Sequence, residues 1–353
     1  MPISETGSKK NQDVYVSKIE DTISTFLNDE IDNWRKIDAS IVPPLEALKV
    51  FFEGGGKRLR PSFCYLSYCA HSNGLISQEI LNLGSALELL HNFAIIHDDI
   101  MDRADTRRGM PTVHRFLESF YDEQQYEGDI EHFALSVAIL TGDFAFTYAD
   151  RFTRGLPDRC MGIYDILKTE LFAGQQMDLD AVYKKEISKE EISKIAQYKS
   201  GKYTIERPLH LGALLADENA DIDTWSKYGS PLGEAFQLRD DVLGIFGQPG
   251  QTGKPVGDDL REGKYTLLLA QALENANSEQ IDVLNMRGNS ALPQEDIDSM
   301  IRIIDEVGAL DAVEKRIQEL YDESLTALDG MDLNDEVRSY AHYLAKYVCW
   351  REQ

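Results

Sequence analysis

A stretch of 29 residues without proline, from Ser77 to Asp105, constrains the fold more than any other part of this chain. It reads SQEILNLGSALELLHNFAIIHDDIMDRAD and is rich in leucine, isoleucine and alanine, with helical periodicity. At 1.5 Å per residue it would form a helix of about 40 Å. The sequence therefore predicts one long helix that runs to Asp105.

Helical patterns recur along most of the remaining chain. Ser188 and Glu191 have the spacing of a capping box, which marks the start of a helix. Further on, apolar residues recur at helical spacing: Leu310, Val313, Ile317, Leu320 and Leu325. No alternating strand pattern or Asn-Gly hairpin signal competes with these helices, so the predicted class is all-α.

The predicted domain organisation is simple. Residues 1–15 are polar and are predicted to form a flexible tail. The breaks between the later helical segments contain no long proline- and serine-rich linker, and no repeat of fixed period is present. We therefore predict a single all-helical domain over residues 16–353.

The composition limits the partners and the compartment. The net charge of −25 opposes binding to nucleic acid phosphates, so no nucleic acid partner is expected. The N-terminal segment lacks the apolar run of a signal peptide, and no stretch approaches the roughly 18 consecutive apolar residues of a membrane span. We predict a cytoplasmic protein without a transmembrane segment, with reduced cysteines at Cys64, Cys69, Cys160 and Cys349.

The segment HDDIMDRADTRRG, residues 97–109, combines carboxylates and arginines in a short space. On a helix, Asp98 and Asp102 would project from one face about 6 Å apart, and His91 would lie close to the same stripe. Two like charges at this spacing repel each other unless a cation lies between them. Taken alone, the motif fits an exposed acidic turn with arginine partners equally well.

Two further acidic sites favour the cation. Asp240 follows Gln237 in FQLRDDVLG, and Asp178 follows Gln175 in AGQQMDLD. Carboxylates on three predicted helices, each within apolar sequence, would be costly to bury unpaired. Mg²⁺ is the natural candidate, because it takes oxygen ligands and usually joins one or two carboxylates to a substrate phosphate.

Basic residues lie beside these acidic sites or near turn glycines, which indicates anion binding in so acidic a chain. They are Lys57, Arg58, Arg60, Arg107, Arg108, Lys199, Lys254 and Lys264. The combined prediction is that the carboxylates hold metal, and that the metal and the cationic side chains together hold phosphate.

The motifs GGGKRLRP, DDIMDRADTRRG, GQQMD, FQLRDD and TGKPVGDDLREGK occur in this order between about Pro44 and Tyr265. Together they closely resemble the trans-isoprenyl diphosphate synthases, in particular those that make geranylgeranyl diphosphate. The resemblance implies an isoprenoid synthase fold of antiparallel helices around a central apolar channel, and a homodimer. It also implies head-to-tail condensation of isopentenyl diphosphate with an allylic diphosphate.

The resemblance also assigns roles to residues. It makes Asp98 and Asp102 ligands of two Mg²⁺ ions on the allylic diphosphate, with Asp178 assisting and Asp240 holding a third ion. The allylic diphosphate would bind Arg107, Lys199 and Lys254, with Lys264 close by. The isopentenyl diphosphate site would contain Lys57, Arg60, His91 and Arg108. The reacting centre would be lined by Gln175, Ser200 and Gln237, where Ser200 replaces a more usual threonine.

The catalytic set implied by the resemblance draws on both acidic motifs and the cations near them. It consists of Asp98, Asp102, Arg107, Lys199, Gln237, Asp240 and Lys254. The implied reaction is ionisation, condensation and proton loss, in which metal and cationic side chains stabilise the charge on the departing diphosphate.

Gly244 departs from the family pattern, because it stands where a fuller second motif has a third aspartate. On a helix this position shares the face of Asp240, so its side chain would be a supporting acceptor near the metal. The sequence predicts weaker binding of the third ion at most. A catalytically weak subunit remains an open interpretation.

Product length is predicted from the residues just before the first motif. In the resembling family, bulky residues four and five positions earlier limit the product, and here these positions are Ala94 and Phe93. This pattern favours geranylgeranyl diphosphate. Helical phase turns Phe93 about 140° from Asp98, so an ordinary core aromatic remains an alternative.

Other functions also remain open from the sequence. They are a farnesyl or longer polyprenyl diphosphate synthase, a terpene cyclase or head-to-head condensing enzyme, and a non-catalytic regulatory subunit. The GGGKRLRP motif and Arg108 argue against the cyclase, which has no need of a separate isopentenyl diphosphate site.

Overall fold

The computed structural model describes residues 7–72, 74–107, 109–184, 187–247, 256–289 and 291–351. The described chain is almost entirely helical, so the predicted all-α class is confirmed. Its residues group into two compact units. Unit 1 contains residues 1–65 and 74–157, and unit 2 contains residues 66–73 and 158–353. The prediction of a single domain stays a prediction.

Unit 1 contains the helices that precede residue 157 and one short hairpin. Its elements are α1 (Gly7–Ile37), a 3₁₀ turn (Ala39–Ile41), α2 (Val42–Glu53), α3 (Leu59–Ala70, whose end belongs to unit 2), α4 (Gln78–Met101), β1 (Thr106–Arg107), β2 (Met110–Pro111), α5 (Val113–Glu123) and α6 (Ile130–Phe152). The two strands pair antiparallel, with Arg107 opposite Met110.

Unit 2 contains the remaining helices and one π-helical segment. Its elements are α7 (Asp158–Tyr183), α8 (Lys189–Ile195), the π-helical segment (Ala196–Glu206), α9 (Arg207–Ala216), α10 (Ile222–Phe246), α11 (Asp258–Glu262), α12 (Leu267–Asn275), α13 (Ser278–Leu284), α14 (Gln294–Glu306), α15 (Ala309–Asp329) and α16 (Asp335–Trp350). The capping box of Ser188 and Glu191 starts α8 as predicted.

Helix α1 begins inside the predicted flexible tail. Its side chains at a spacing of four residues, Tyr15, Ile19, Ile23 and Leu27, are fully buried. The Tyr15 hydroxyl donates to the Ile80 carbonyl at 3.0 Å. A Cβ at Gly84 of α4 would lie 2.3 Å from the Tyr15 hydroxyl, so α4 approaches α1 closely because it has glycine here. The helical region thus starts at Gly7, earlier than the sequence predicted, and residues 1–6 lie outside the described residues.

Helix α4 ends four residues before the predicted boundary at Asp105, at Met101. Arg103 has a φ of 55°, in the left-handed region that ends a helix. The Arg103 amide donates to the Ile100 carbonyl at 3.3 Å, and the Ala104 amide donates to the Asp99 carbonyl at 2.9 Å. This is a Schellman motif built on arginine instead of glycine. The prediction of helix to Asp105 is wrong for this reason, and the short hairpin that follows was not predicted.

A buried ion pair fixes the loop between α2 and α3. The Arg58 guanidinium donates to the Glu88 carboxylate at 2.7 Å and to the Phe52 carbonyl at 3.1 Å, and it lies over the Phe52 ring. Both charged side chains are almost completely buried. Removing one partner of such a pair typically costs about 3–5 kcal/mol of folding free energy. Replacing Arg58 alone is therefore expected to destabilise unit 1, because the Glu88 carboxylate would be left buried without its partner.

Close helix packing in unit 2 depends on glycine. A Cβ at Gly174 of α7 would lie 2.3 Å from the Lys199 amide, and a Cβ at Gly201 would lie 2.9 Å from the Gly233 backbone. The π-helical segment is therefore held tightly between α7 and α10. Single π turns within helices often occur at functional sites, and Lys199 and Ser200 lie in this one.

A buried polar network continues from the π-helical segment into α9. The Glu206 carboxylate accepts hydrogen bonds from Ser226 and Ser230 of α10, each at 3.0 Å. Arg207 binds Glu170 of α7 through two nitrogens, at 2.7 and 2.8 Å. Burial lowers the pKa of His210 to about 4, so this ring is neutral at pH 7. α8, the π-helical segment and α9 follow one another as one helical rod, and these contacts fix its rotation relative to α7 and α10.

Helix α6 is long and apolar enough to cross a membrane when only length and composition are considered. Of the helices that the structure describes, it is the one that meets this test, and 28% of the tested window is buried. The core helix of a protein that never enters a membrane passes the same test. The prediction of no transmembrane segment therefore stays a prediction.

Candidate active site

The first acidic motif lies at the end of α4 in unit 1. Asp98 is in the last turn and Asp102 caps the helix, with the Asp102 amide donating to the Asp98 carbonyl at 2.8 Å. The predicted spacing of i and i+4 therefore holds. The Schellman turn that follows brings the chain back, and places Arg107 of β1 beside the carboxylates.

Arg107 binds the neighbouring aspartate, which the sequence analysis did not assign. Its Nε donates to the Asp99 carboxylate at 2.8 Å, and its Nη2 lies 3.5 Å from the Asp98 carboxylate. The Asp99 side chain is only 1% exposed. Burial opposes the charge on Arg107, but Asp99, Asp98 and Asp102 together raise the Arg107 pKa. Asp99 therefore orients the guanidinium, and Asp98 lies within its field.

The other predicted residues of unit 1 lie on α4 or near the loop before α3. Lys57 is exposed in this loop, Arg60 is half-buried at the start of α3, and His91 is half-buried on α4. Arg108, the fourth residue assigned to isopentenyl diphosphate, lies outside the described residues.

The two predicted chain-length residues are half-buried on α4. The Phe93 ring centroid lies 5.0 Å from that of Phe146 on α6 and 4.7 Å from that of His97. Phe93 therefore faces α6, and Ala94 follows it on the helix.

The second acidic motif lies on α10 in unit 2. The Asp240 side chain is 43% exposed, whereas Asp241 is buried. Gln237 donates to the Asp241 carboxylate at 2.7 Å. Burial raises the Asp241 pKa well above its usual range; Gln237 opposes this, and the charges of Asp259, Asp240 and Asp178 add to it. Four carboxylates therefore interact in unit 2, of which the sequence analysis assigned Asp178 and Asp240.

Asp259 of α11 occupies the space beside Gly244. A Cβ at position 244 would lie 2.1 Å from Oδ2 of Asp259 and 2.7 Å from its Cγ. The carboxylate that the second motif lacks at Gly244 is thus replaced in space by one from α11. Asp259 belongs to the quoted TGKPVGDDLREGK motif, but its proximity to Gly244 depends on tertiary packing and has no local signal.

Lys199 and Asp178 form an ion pair between the π-helical segment and α7. The Lys199 ammonium lies 2.6 Å from the Asp178 carboxylate, and both side chains are about four-fifths buried. Gln175 and Ser200 are half-buried on the same two elements. The close approach at Gly174 sets the height of Lys199 along α7.

Lys264 follows α11 and is surrounded by acidic groups. Its ammonium pairs with Glu262 and lies 4.0 Å from the Asp259 carboxylate. The predicted diphosphate ligand Lys254 lies outside the described residues. Unit 2 therefore brings the predicted cations Lys199 and Lys264 close to the interacting aspartates, and unit 1 brings together Arg107 and its aspartates.

The donor set fits Mg²⁺. The groups are carboxylate oxygens, which are hard ligands, and both sets adjoin cationic side chains. No group of three or more His, Cys, Asp or Glu side chains forms a preassembled metal cluster within the described ranges. Mg²⁺ usually takes one or two protein carboxylates and completes its shell with water and phosphate oxygens.

Comparisons with known proteins agree with this chemistry. The polyprenyl synthetase family model matches residues 44–304. A geranylgeranyl diphosphate synthase from Sulfolobus acidocaldarius is 31% identical over 343 residues, which cover 94% of this chain and 97% of that protein. A geranylgeranyl diphosphate synthase from Methanosarcina mazei is 31% identical over 291 residues, which cover 80% of this chain and 82% of that protein.

A solved structure is similar over nearly the whole chain. It is the geranylgeranyl pyrophosphate synthase from Corynebacterium glutamicum, in complex with isoprenyl diphosphate and magnesium. It matches with a TM-score of 0.88 and 36% identity, covering 95% of this chain and 99% of that one. The chain belongs to the polyprenyl synthetase family. The family resemblance and the enzyme class predicted from the motifs, a prenyltransferase, are confirmed.

Proposed function

We propose that this protein is a cytoplasmic, Mg²⁺-dependent enzyme that condenses isopentenyl diphosphate with allylic diphosphates, head to tail, to give geranylgeranyl diphosphate. The observation that carries this proposal is the pairing of acidic motifs with cations in a member of this family. Asp98 and Asp102 adjoin Arg107, and Asp178 and Asp240 lie in the acidic cluster that contains Lys199.

The proposed metal ligands are Asp98, Asp102, Asp178 and Asp240, with three ions per active site. Asp259 adds a supporting carboxylate at the position that Gly244 leaves open. When bound, Mg²⁺ supplies positive charge that stabilises the departing diphosphate. Lys199 pairs with Asp178, so this ammonium would be placed to bind a diphosphate oxygen and this carboxylate would be placed to hold a metal ion.

The cationic side chains divide between the two substrates. Arg107, Lys199, Lys254 and Lys264 bind the allylic diphosphate, and Lys57, Arg60, His91 and Arg108 bind isopentenyl diphosphate. Gln175, Ser200 and Gln237 line the reacting centre. Asp99 orients Arg107 for this role, because its buried carboxylate holds the Arg107 guanidinium in place before substrate binds.

A homodimer is proposed from the exposed face of α6. Phe133, Ile139 and Leu140 are large apolar side chains of this helix that are at least 40% exposed. Apolar side chains grouped on one helix favour burial against a partner, because monomers rarely expose large apolar patches. A second copy of this chain would cover them.

The reaction is tested by incubating the protein with Mg²⁺, labelled isopentenyl diphosphate and dimethylallyl, geranyl or farnesyl diphosphate. Resolving the products by chain length should show geranylgeranyl diphosphate from each primer. If only farnesyl diphosphate or only longer polyprenyl diphosphates form, the proposed product length is wrong. Cyclic hydrocarbon formed without isopentenyl diphosphate, or head-to-head product, would contradict the proposed reaction.

Phe93→Ala should lengthen the product. Phe93 packs between His97 and Phe146, so its removal opens space between α4 and α6 in which a longer prenyl chain can lie. The measurement is the product distribution with farnesyl diphosphate as primer, beside Phe120→Ala on α5 as a control aromatic. An unchanged distribution in Phe93→Ala would assign Phe93 to the core alone.

A further inference from the structure

Arg351 directly follows α16, and its buried guanidinium reaches the second acidic motif. Nη1 donates to the Val348 carbonyl at 2.6 Å, and Nη2 donates to the Phe236 carbonyl at 3.3 Å. The guanidinium lies over the Phe236 ring, 4.2 Å from its centroid. Nη2 also forms an ion pair with Oδ1 of Asp240. The Arg351 side chain is 1% exposed, so this pair is shielded from water on the arginine side.

A second arginine, Arg239, also joins α10 to the end of α16, but it extends from α10 towards α16. Nε of Arg239 on α10 donates to the Cys349 carbonyl at 2.6 Å, and its two terminal nitrogens bind Glu314 of α15 at 2.8 and 2.6 Å. Arg351 therefore donates to a carbonyl within α10, and Arg239 donates to a carbonyl in the last turn of α16. The guanidinium of Arg351 is fixed by the backbone and by Phe236 as well as by Asp240.

We propose that Arg351 is a positioning residue for Asp240, an inference that rests on the proposed role of Asp240 as a Mg²⁺ ligand. One carboxylate oxygen is held by the guanidinium, while the side chain stays 43% exposed and accessible from the other side. Groups that bind the second atom of a metal ligand orient it and raise metal affinity. Arg351 also places a positive charge directly against Asp240, whose negative charge acts on the neighbouring Asp241.

The contacts favour a fixed support over a latch that competes with metal. If Arg351 left Asp240, its buried charge would lose its ionic partner, which is costly in a desolvated position. The Arg351 guanidinium is also held by two backbone carbonyls and by the Phe236 ring. A fixed support and a competitor make opposite predictions, because loss of a competitor would tighten metal binding.

The test measures binding of Mn²⁺, as a paramagnetic probe for Mg²⁺, to the full chain in the presence of inorganic diphosphate. Free Mn²⁺ is quantified by electron paramagnetic resonance, so no turnover is needed. Arg351→Gln should weaken Mn²⁺ binding about 10-fold. Arg351→Lys keeps the charge but loses the planar fork, so it should weaken binding by about 3-fold. Activity should return towards the wild-type kcat at saturating Mg²⁺, since the support acts on affinity.

Arg338→Gln is the matched control, since Arg338 on α16 also donates to two carbonyls, those of Leu328 and Met331, at 2.8 and 2.6 Å. It should lower thermal stability to a similar degree and leave Mn²⁺ affinity unchanged. If Arg351→Gln binds Mn²⁺ like this control, or more tightly than wild type, the positioning role is wrong. If Arg351→Gln does not fold, Arg351→Lys decides by the same comparison.

Asp240→Asn separates this inference from the proposed function. Weaker Mn²⁺ binding in Asp240→Asn, with none in Arg351→Gln, would overturn the positioning role and leave Asp240 a ligand. Unchanged binding in Asp240→Asn would overturn both. Weaker binding in both variants, with Arg338→Gln unaffected, supports the positioning role.

Discussion

Asp98→Asn should lower kcat/KM for condensation by at least about 10²-fold, because it removes a charge that holds the proposed metal against the departing diphosphate. The change keeps the volume of the side chain. Arg107 also keeps its buried partner Asp99, so the fold of the α4 end should survive. The measurement is steady-state condensation with labelled isopentenyl diphosphate, together with a thermal unfolding curve.

Asp122→Asn is a suitable control for the loss of one carboxylate, because Asp122 is exposed on α5 of the same unit. It should have wild-type activity. Undiminished condensation by Asp98→Asn would contradict the proposed role of the first motif. It would then reopen the interpretation of a non-catalytic regulatory subunit.

Gly244→Asp should lower activity about 10- to 100-fold at limiting Mg²⁺, although it restores the fuller family motif. The new Cβ would meet the Asp259 carboxylate at 2.1 Å, so Asp259 must turn away and an additional charge enters the cluster of Asp178, Asp240 and Asp241. The displaced atoms are the end of a side chain, so we expect a greater loss of function than of stability. The dependence of the rate on Mg²⁺ concentration measures this effect.

The double variant Gly244→Asp with Asp259→Ala is the sharper test. It removes the clash and moves the carboxylate from α11 to α10, so it should regain much of the activity that Gly244→Asp loses. Gly162→Asp on α7 is the control, because a Cβ at Gly162 meets nothing within 4 Å. If the double variant is no better than Gly244→Asp, Asp259 does not stand in for the missing aspartate.

The sequence predicted the features that depend on local pattern. Helical periodicity and the capping box of Ser188 and Glu191 identified the class and the start of α8. The spacing of Asp98 and Asp102 predicted that one helical turn joins them, and the Asp102 amide does donate to the Asp98 carbonyl. These signals need only residues close to each other in the chain.

Features that depend on tertiary packing were missed. Asp259 meets Gly244 through the fold of α10 against α11, and Arg351 reaches Asp240 across 111 positions in the sequence. The end of α4 was placed too late, because Arg103 takes a left-handed conformation that usually signals glycine. The residues around Arg103 carry no sequence signal for this helix-ending turn.

The π-helical segment changes the direction in which the side chains of α9 point relative to those of α8. An α-helix advances about 100° per residue, whereas the wider π turns advance by less, so angular position does not carry over from α8 to α9. The direction of the apolar side chains of α9 therefore cannot be deduced from that of the Lys199 ammonium by counting 100° per residue, although both lie on one helical rod. The chain can direct a charged group towards one neighbour and an apolar stripe towards another within one run of helix, in which Pro208 lies in the first turn of α9.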